Sequence, residues 1–215
     1  MTDKQLQDEI LAELAYEPEV HPERIGVSVE NGVVSLSGHA DSYSQKLAAE
    51  RVVKRVYSAK AVVNDLEVRL PTRDVVPDAD LAQAAVQAVE RLTQVPGDSV
   101  RITVRDGHVI LDGKLDWHYQ RQAVENSVRH LRGVRGVLNH ITISEAAVPE
   151  EAGRLIEGSL RRSSEDGGAI TVEISDRTVT LLGRVSCLRE RDEAETAAWG
   201  VPGIIQVDNR LAVVP

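Results

Sequence analysis

Residues 29–40 read VENGVVSLSGHA, and the two glycines bracketing its apolar run admit two readings. Glycines beside a strand end can cradle a phosphate, or they can make turns. Asn31-Gly32 is a preferred pair for a two-residue type I′ turn, in which both central residues need positive φ. Val27 and Val29 alternate with polar residues before it, and Val34 and Leu36 after it. A two-residue loop then sets Val29 opposite Val34 and Val27 opposite Leu36, so that all four face one side. On this reading Gly32 makes the hairpin, and Gly38 ends its second strand ahead of a helix.

The stretch recurs. GVVSLSGHA returns as GHVILDGKL at 107–115 and as RTVTLLGRV at 177–185. Counting 26 residues from Gly38, Gly113 and Gly183 lands without a gap on Asn64, Asn139 and Asn209; counting 12 lands on Glu50, Glu125 and Glu195. The periods, 75 and 70 residues, are too long for common solenoids and long enough for small domains.

Each copy reads as α-β-β-α-β. Leu6, Ile10 and Leu14 predict a first helix, matched by Leu81, Ala85 and Val89. Copy three offers Leu155, Ile156 and Leu160 with Gly158 inside, a weaker helix. The hairpin register extends to Val104–Val109 and Ile102–Leu111 around Asp106-Gly107, and to Ile174–Val179 and Val172–Leu181 around Asp176-Arg177. Arg177 replaces the turn glycine and must accept positive φ or alter the turn. Second helices are expected near 42–57, 117–132 and 187–200, with Val53, Val56, Val128 and Leu131 facing inward. Final strands are expected at VVNDLEV, VLNHITI and VDNRLAV. Linkers with Pro and acidic residues fall at 70–78 and 144–151.

These residues resemble the BON domain, named for bacterial osmotically inducible and nodulation proteins. Its hallmarks are a G-x-V-x-L-x-G hairpin, a second helix, and a V-x-G-V-x-x-V-x-N-x-L-x-V tail. Copy two carries GHVILDG and LRGVRGVLNHITI; copy one has Ser58-Ala59 where the tail glycine and valine belong; copy three has Arg177 in place of the first hairpin glycine. The resemblance implies non-catalytic modules associated with phospholipid binding, envelope integrity and osmotic stress. Such modules are often periplasmic or attached to channels and secretion components.

Composition narrows the functions open to the chain. Two Trp, four Tyr and no Phe leave the cores to Val, Leu, Ile and Ala. A formal net charge of −9 disfavours generic nucleic-acid binding. Divided after residues 71 and 145, the copies carry 8 basic against 12 acidic side chains, 9 against 10, and 8 against 12, so the middle copy is the least acidic. The amphipathic N-terminus MTDKQLQDEILAEL lacks the basic and apolar regions of a secretory signal, and no run of 18 apolar residues exists. The expected location is cytoplasmic, with peripheral membrane association or the periplasm implied by the resemblance.

Few residues read as chemistry. GHVILDGK (107–114) has five residues between its glycines and Leu115 where a P-loop needs Ser or Thr, so no nucleotide is expected. His21, His39, His108, His118, His130 and His140 show no i, i+4 pair and read as surface residues, with no metal expected. Cys187 aligns with Ser42 and Trp117 at an ordinary helix start. Glu50, Glu125 and Glu195 lie four residues after Lys46, Arg121 and Arg191, the spacing of surface ion pairs. Asn64, Asn139 and Asn209 share strand parity with the inward face, and their amides are expected to bond the backbone of the preceding loop. Arg129, Arg132 and Arg135, at the end of helix two, are the candidate site for an anionic lipid head group. Arg51, Lys54 and Arg55 are a weaker rival.

The expected fold is therefore α+β: three tandem αββαβ domains, each a three-stranded sheet packed on two helices, over residues 1–70, 76–145 and 149–215. The structural signature is Gly32, Gly38, Asn64, Gly107, Gly113, Asn139, Gly183 and Asn209. The expected function is a non-catalytic binding or scaffold protein without cofactor. Its partner is an anionic phospholipid or an envelope-associated protein in osmotic or general stress. The alternative is a cytoplasmic protein–protein adaptor.

Overall fold

The computed structural model describes residues 2–144, 156, 170–175, 177–201 and 203–214. Copy one comprises α1 (Asp3–Tyr16), the hairpin β1 (Ile25–Glu30) and β2 (Val33–Ala40), α2 (Tyr43–Arg55), β3 (Ala61–Asn64) and β4 (Glu67–Val68). Copy two comprises α3 (Asp78–Glu90), β5 (Val100–Arg105), β6 (His108–Leu115), α4 (His118–Val128) and β7 (Gly136–Ile143). In copy three the described elements are β8 (Thr171–Ser175), β9 (Thr178–Val185), α5 (Leu188–Trp199) and β10 (Gln206–Val213). The first helix expected around Leu155 and Leu160 lies outside the described residues, apart from Ile156, which is helical and buried. The fold is thus mixed α+β, with one small sheet per copy.

In every sheet the second hairpin strand is central. β2 pairs antiparallel with β1 and parallel with β3 and β4. β6 lies likewise between β5 and β7, and β9 between β8 and β10. A parallel neighbour requires a crossover, and the second helix supplies it. The hairpin registers are Val29–Val34 and Val27–Leu36, Val104–Val109 and Ile102–Leu111, and Ile174–Val179 and Val172–Leu181. Asn31 and Gly32 have φ of +52° and +81°, Asp106 and Gly107 +50° and +77°. Arg177 takes φ of +66°, accepting the turn and not altering it.

Gly38 departs from its expected role. It sits inside β2, two residues before the strand ends, and so does not terminate it. A Cβ there would fall 2.2 Å from the Arg24 carbonyl oxygen, and at Gly113 equally 2.2 Å from that of Ser99. The glycine is required by the close passage of the opposite strand. All of GHVILDGK after Gly107 likewise lies in β6, whose backbone is engaged on both sides by β5 and β7.

One face of each sheet carries the helices. In copy one, Leu6, Ile10 and Leu14 of α1 meet Val34 and Leu36, with Ala48, Ala49, Val52 and Val53 of α2. The small alanines let α2 lie close against the strands. Copy two repeats this with Leu81, Ala85, Val109, Leu111, Val124 and Val128. Copy three repeats it with Ile156, Val179, Leu181, Ala194 and Ala198. The second helices stop at Arg55, Val128 and Trp199, short of the expected ends. No described helix is long and apolar enough to cross a membrane.

Candidate functional site

Three constellations recur in the repeat frame. In the first, an asparagine ties the last strand to the second helix. Asn64 Nδ2 donates to Lys46 O and Glu50 Oε2, both at 3.1 Å, and its Oδ1 accepts from Leu66 N at 3.4 Å. Asn139 Nδ2 donates to Glu125 Oε2 at 2.9 Å, while its Oδ1 accepts from Ile141 N at 3.1 Å. Asn209 donates to Arg191 O at 3.0 Å and Glu195 Oε2 at 3.2 Å, and accepts from Leu211 N at 3.3 Å.

Two expectations are corrected here. The asparagines bond the helix and their own strand, not the preceding loop. The recurrent glutamates receive those amides instead of pairing with the basic residue one turn earlier. Lys46 Nζ reaches Leu66 O at 2.9 Å, and Arg191 Nη2 reaches Asn209 O at 2.9 Å. Each asparagine uses both ends of its amide, so the cluster is a clasp.

The second constellation holds the hairpin turns. The Asp3 carboxylate accepts from Asn31 N at 2.8 Å and Gly32 N at 3.0 Å. Asp78 accepts from Asp106 N at 2.7 Å and Gly107 N at 3.0 Å. Both carboxylates are in the first turn of their helix, where negative charge is also favoured by the helix dipole. Sequence reasoning missed them, although Asp3 and Asp78 each lie 35 residues before the strand glycine. On the far side, the Gly32, Gly107 and Arg177 carbonyls accept from Lys60 N, Arg135 N and Ile205 N at 2.8, 2.8 and 3.1 Å.

The third constellation fixes the start of helix two. Gln45 Oε1 accepts from Asp41 N at 2.6 Å. Gln120 Oε1 accepts from Asp116 N and Trp117 N at 3.1 and 3.0 Å, and Glu190 Oε2 from Ser186 N at 2.9 Å. Gln45 and Gln120 are the only buried polar side chains among the described residues. Cys187 is buried beside the third of these caps.

The arginine cluster stands where copies one and two meet. Arg129 is the C-cap of α4; Arg132 and Arg135 lie beyond it, in the turn before β7. Only Arg129 is therefore placed to complement the dipole of α4. Its Nε donates to His130 Nε2 at 3.0 Å. His130 Nδ1 lies 2.8 Å from Ser44 Oγ, a hydrogen bond that reaches copy one. Arg132 Nε pairs with Asp74 at 3.2 Å. Arg135 is exposed, its stem lying over Gly107. A hollow of about 300 Å³ here is lined by Arg129, His130 and Arg132, and also by Asp41 and Asp74.

Tyr43, at the start of α2, packs against the core of copy two. Burial raises its phenol above the usual range, and the charge of Glu125 adds to this. The rival cations lie at another junction, between copies one and three. Arg51 pairs with Glu19 at 3.1 Å and Arg55 with Glu17 at 3.1 Å. Lys54 pairs with Glu50 at 3.2 Å and with Asp192 of α5 at 2.9 Å. Burial alone would lower the Lys54 ammonium, but its bonds to Asp192 and Glu50 raise it above its ordinary value. A cavity of about 510 Å³ opens between these side chains and Arg189, which is itself paired with Glu193 at 2.9 Å.

Histidines otherwise hold positions without a shared centre. His118 stacks on Trp199, with centroids 4.3 Å apart and planes 8° from parallel. Burial, and then the charge of Arg121, lowers its pKa from 6.5 to about 4, so the stacked ring is neutral at pH 7. His140 lies 3.3 Å from Asp112, and His21 3.8 Å from Asp41. No group of His, Cys, Asp and Glu among the described residues is arranged to hold a metal ion.

Comparison with known proteins agrees with the repeat. The sequence model of the BON domain family matches three times, over residues 2–69, 77–145 and 154–215. Osmotically-inducible protein Y of Escherichia coli (strain K12) is 28% identical over 145 residues, covering 66% of this chain and 72% of that protein. Among solved structures, the C-terminal domain of CdsD, a structural protein of the Type III secretion system of Chlamydia trachomatis, covers 100% of both chains at 15% identity, with a TM-score of 0.28. A second CdsD structure covers 98% of this chain and 93% of its own at 16% identity and a TM-score of 0.27. Scores that low bear on neither fold nor function. The three matched ranges span the hairpins and clasps described above: the chain belongs to the BON domain family, in three tandem copies.

Proposed function

We propose that the chain is a non-catalytic scaffold that binds a protein partner during osmotic or general stress. The division into three domains over residues 1–70, 76–145 and 149–215 belongs to the same reading. The stress context is supported by family membership and by the similarity to an osmotically inducible protein. The choice of a protein partner over a lipid rests on one observation: two of the three cations of the basic cluster already have partners within the chain. Arg132 is held by Asp74, Arg129 by His130, and two carboxylates line the hollow between them. An anionic head group entering there would displace these bonds and face Asp41 and Asp74.

A second reading, binding of an anionic phospholipid head group, is favoured by the exposure of Arg132 and Arg135. Flotation on vesicles of phosphatidylglycerol and phosphatidylcholine at low salt separates the two. The scaffold reading expects no flotation of the wild-type chain. Flotation that is lost when Arg129, Arg132 and Arg135 are changed to Ala, with circular dichroism unchanged, establishes the lipid reading in its place.

A further inference from the structure

The contacts between copies obey a rule that the sequence repeat makes visible. Tyr43, His118 and Leu188 occupy one repeat position, five residues after Gly38, Gly113 and Gly183, and each opens its helix. Lys54, Arg129 and Trp199 occupy another, 16 residues after the same glycines, at the ends of those helices. Tyr43 of copy one packs on copy two beside Arg129. His118 of copy two stacks on Trp199 of copy three. Leu188 of copy three packs into the core of copy one, and Asp192 behind it bonds Lys54. The start of each second helix thus meets the end of the next copy's second helix, and the third returns to the first.

We infer that each copy carries one head-to-tail docking surface, that the three surfaces close on themselves as a ring within the chain, and that a second copy of this chain engages the same surface when the ring opens. A head-to-tail contact closes if its rotations sum to a full turn and otherwise propagates between molecules. Here three copies complete the turn. Two of the contacts join consecutive copies, so the chain itself holds those halves together at high effective concentration. The contact from copy three to copy one joins units that are not consecutive. It is the place where the ring opens and where another chain can substitute.

The side chains at this contact are not interchangeable with those at the other two. Leu188 enters an apolar core, where Tyr43 and His118 bring polar rings. Lys54 and Asp192 face each other at 2.9 Å, with side chains 29% and 50% exposed, while the corresponding residues of copies two and three are an arginine and a tryptophan. A charge reversal at Asp192 therefore addresses the ring-closing contact, and one at Lys54 addresses it together with the Glu50 pair inside copy one.

The test uses three full-length variants: Lys54→Asp, Asp192→Lys and the double reversal, followed by size-exclusion chromatography with light scattering and by small-angle scattering. Each single variant sets like charges against each other and is expected to elute earlier than wild type, at monomer mass with a larger radius of gyration. The double variant restores the pair and is expected to regain the wild-type radius. Mixing the two single variants supplies a complementary pair at both contacts, one native and one reversed, and a species of twice the monomer mass is expected. Circular dichroism matching wild type establishes that the singles remain folded, as expected for substitutions outside the apolar cores. Single variants with the wild-type radius, or expanded singles that stay monomeric on mixing, overturn the inference.

Discussion

Copies two and three share a frame and differ at the hairpin turn. In copy two the turn is Asp106-Gly107, and both of its amides are held by Asp78. In copy three Arg177 stands in the glycine's place with φ of +66°. Yet the strands on either side keep one register, and Asn139 and Asn209 make the same bonds to Glu125 and Glu195. The turn residue is therefore replaceable at a cost. The strand register and the clasp between strand and helix remain constant.

The strongest way to break this comparison is to attack the shared frame. A Cβ at Gly113 would lie 2.2 Å from Ser99 O and 3.1 Å from Val100 Cα, both backbone atoms where the chain enters β5. Gly113→Val must push β5 and β6 apart and is expected to cost about 3 kcal/mol or more. Gly183, with φ of +138°, should respond alike. Urea denaturation reads both. A loss below about 1 kcal/mol at either site would show that the crossing is not part of the shared frame.

The clasp comes next. Asn139→Ala leaves Glu125 Oε2 and Ile141 N–H in a half-buried site without their partner, for an expected loss of about 2 kcal/mol. Asn209→Ala should cost about 1 kcal/mol more, because Asn209 Nδ2 also serves the Arg191 carbonyl. Equal losses would mean that the added bond contributes nothing, and that the copies hold their helices alike.

The division between what was legible and what was not follows the range of the interactions. The hairpins could be read because turn chemistry and strand alternation are local, and because three copies testified to one register. The asparagines could be located but not interpreted. Inward parity marks Asn64 as a residue needing partners, yet Lys46 O and Glu50 lie 18 and 14 residues away across the crossover. The glutamates misled for the same reason. At i, i+4 they offered an ion pair, but the strand's amide reaches the carboxylate and the strand's carbonyls take the cations. The arginine cluster was visible as composition alone. Its partners, Asp74 from the segment between copies and Ser44 through His130, come from parts of the chain that no periodicity connects to it. The ring of copies required knowing that Tyr43, His118 and Leu188, three chemically unlike residues, do one job.

The smallest effect concerns the turn itself, and there the comparison can be sharpened in both directions. A non-glycine residue in the left-handed region is strained by about 1–2 kcal/mol, because its Cβ crowds the neighbouring carbonyl. Arg177→Gly removes that strain but adds unfolded-chain freedom worth about 0.5–1 kcal/mol, and gives up whatever the arginine side chain contacts. The net expectation is a gain of about 0.5 kcal/mol. The reverse change is not its mirror image. At Gly107 a Cβ would lie 2.8 Å from Gly133 O and 3.0 Å from the stem of Arg135. Gly107→Arg therefore adds a steric cost to the strain, for an expected loss of about 2 kcal/mol. If the two changes were equal and opposite in urea denaturation, only the backbone angle would distinguish the turns. A loss at Gly107 several times the gain at Arg177 places the difference in the packing of Gly133 and Arg135 over the turn of copy two.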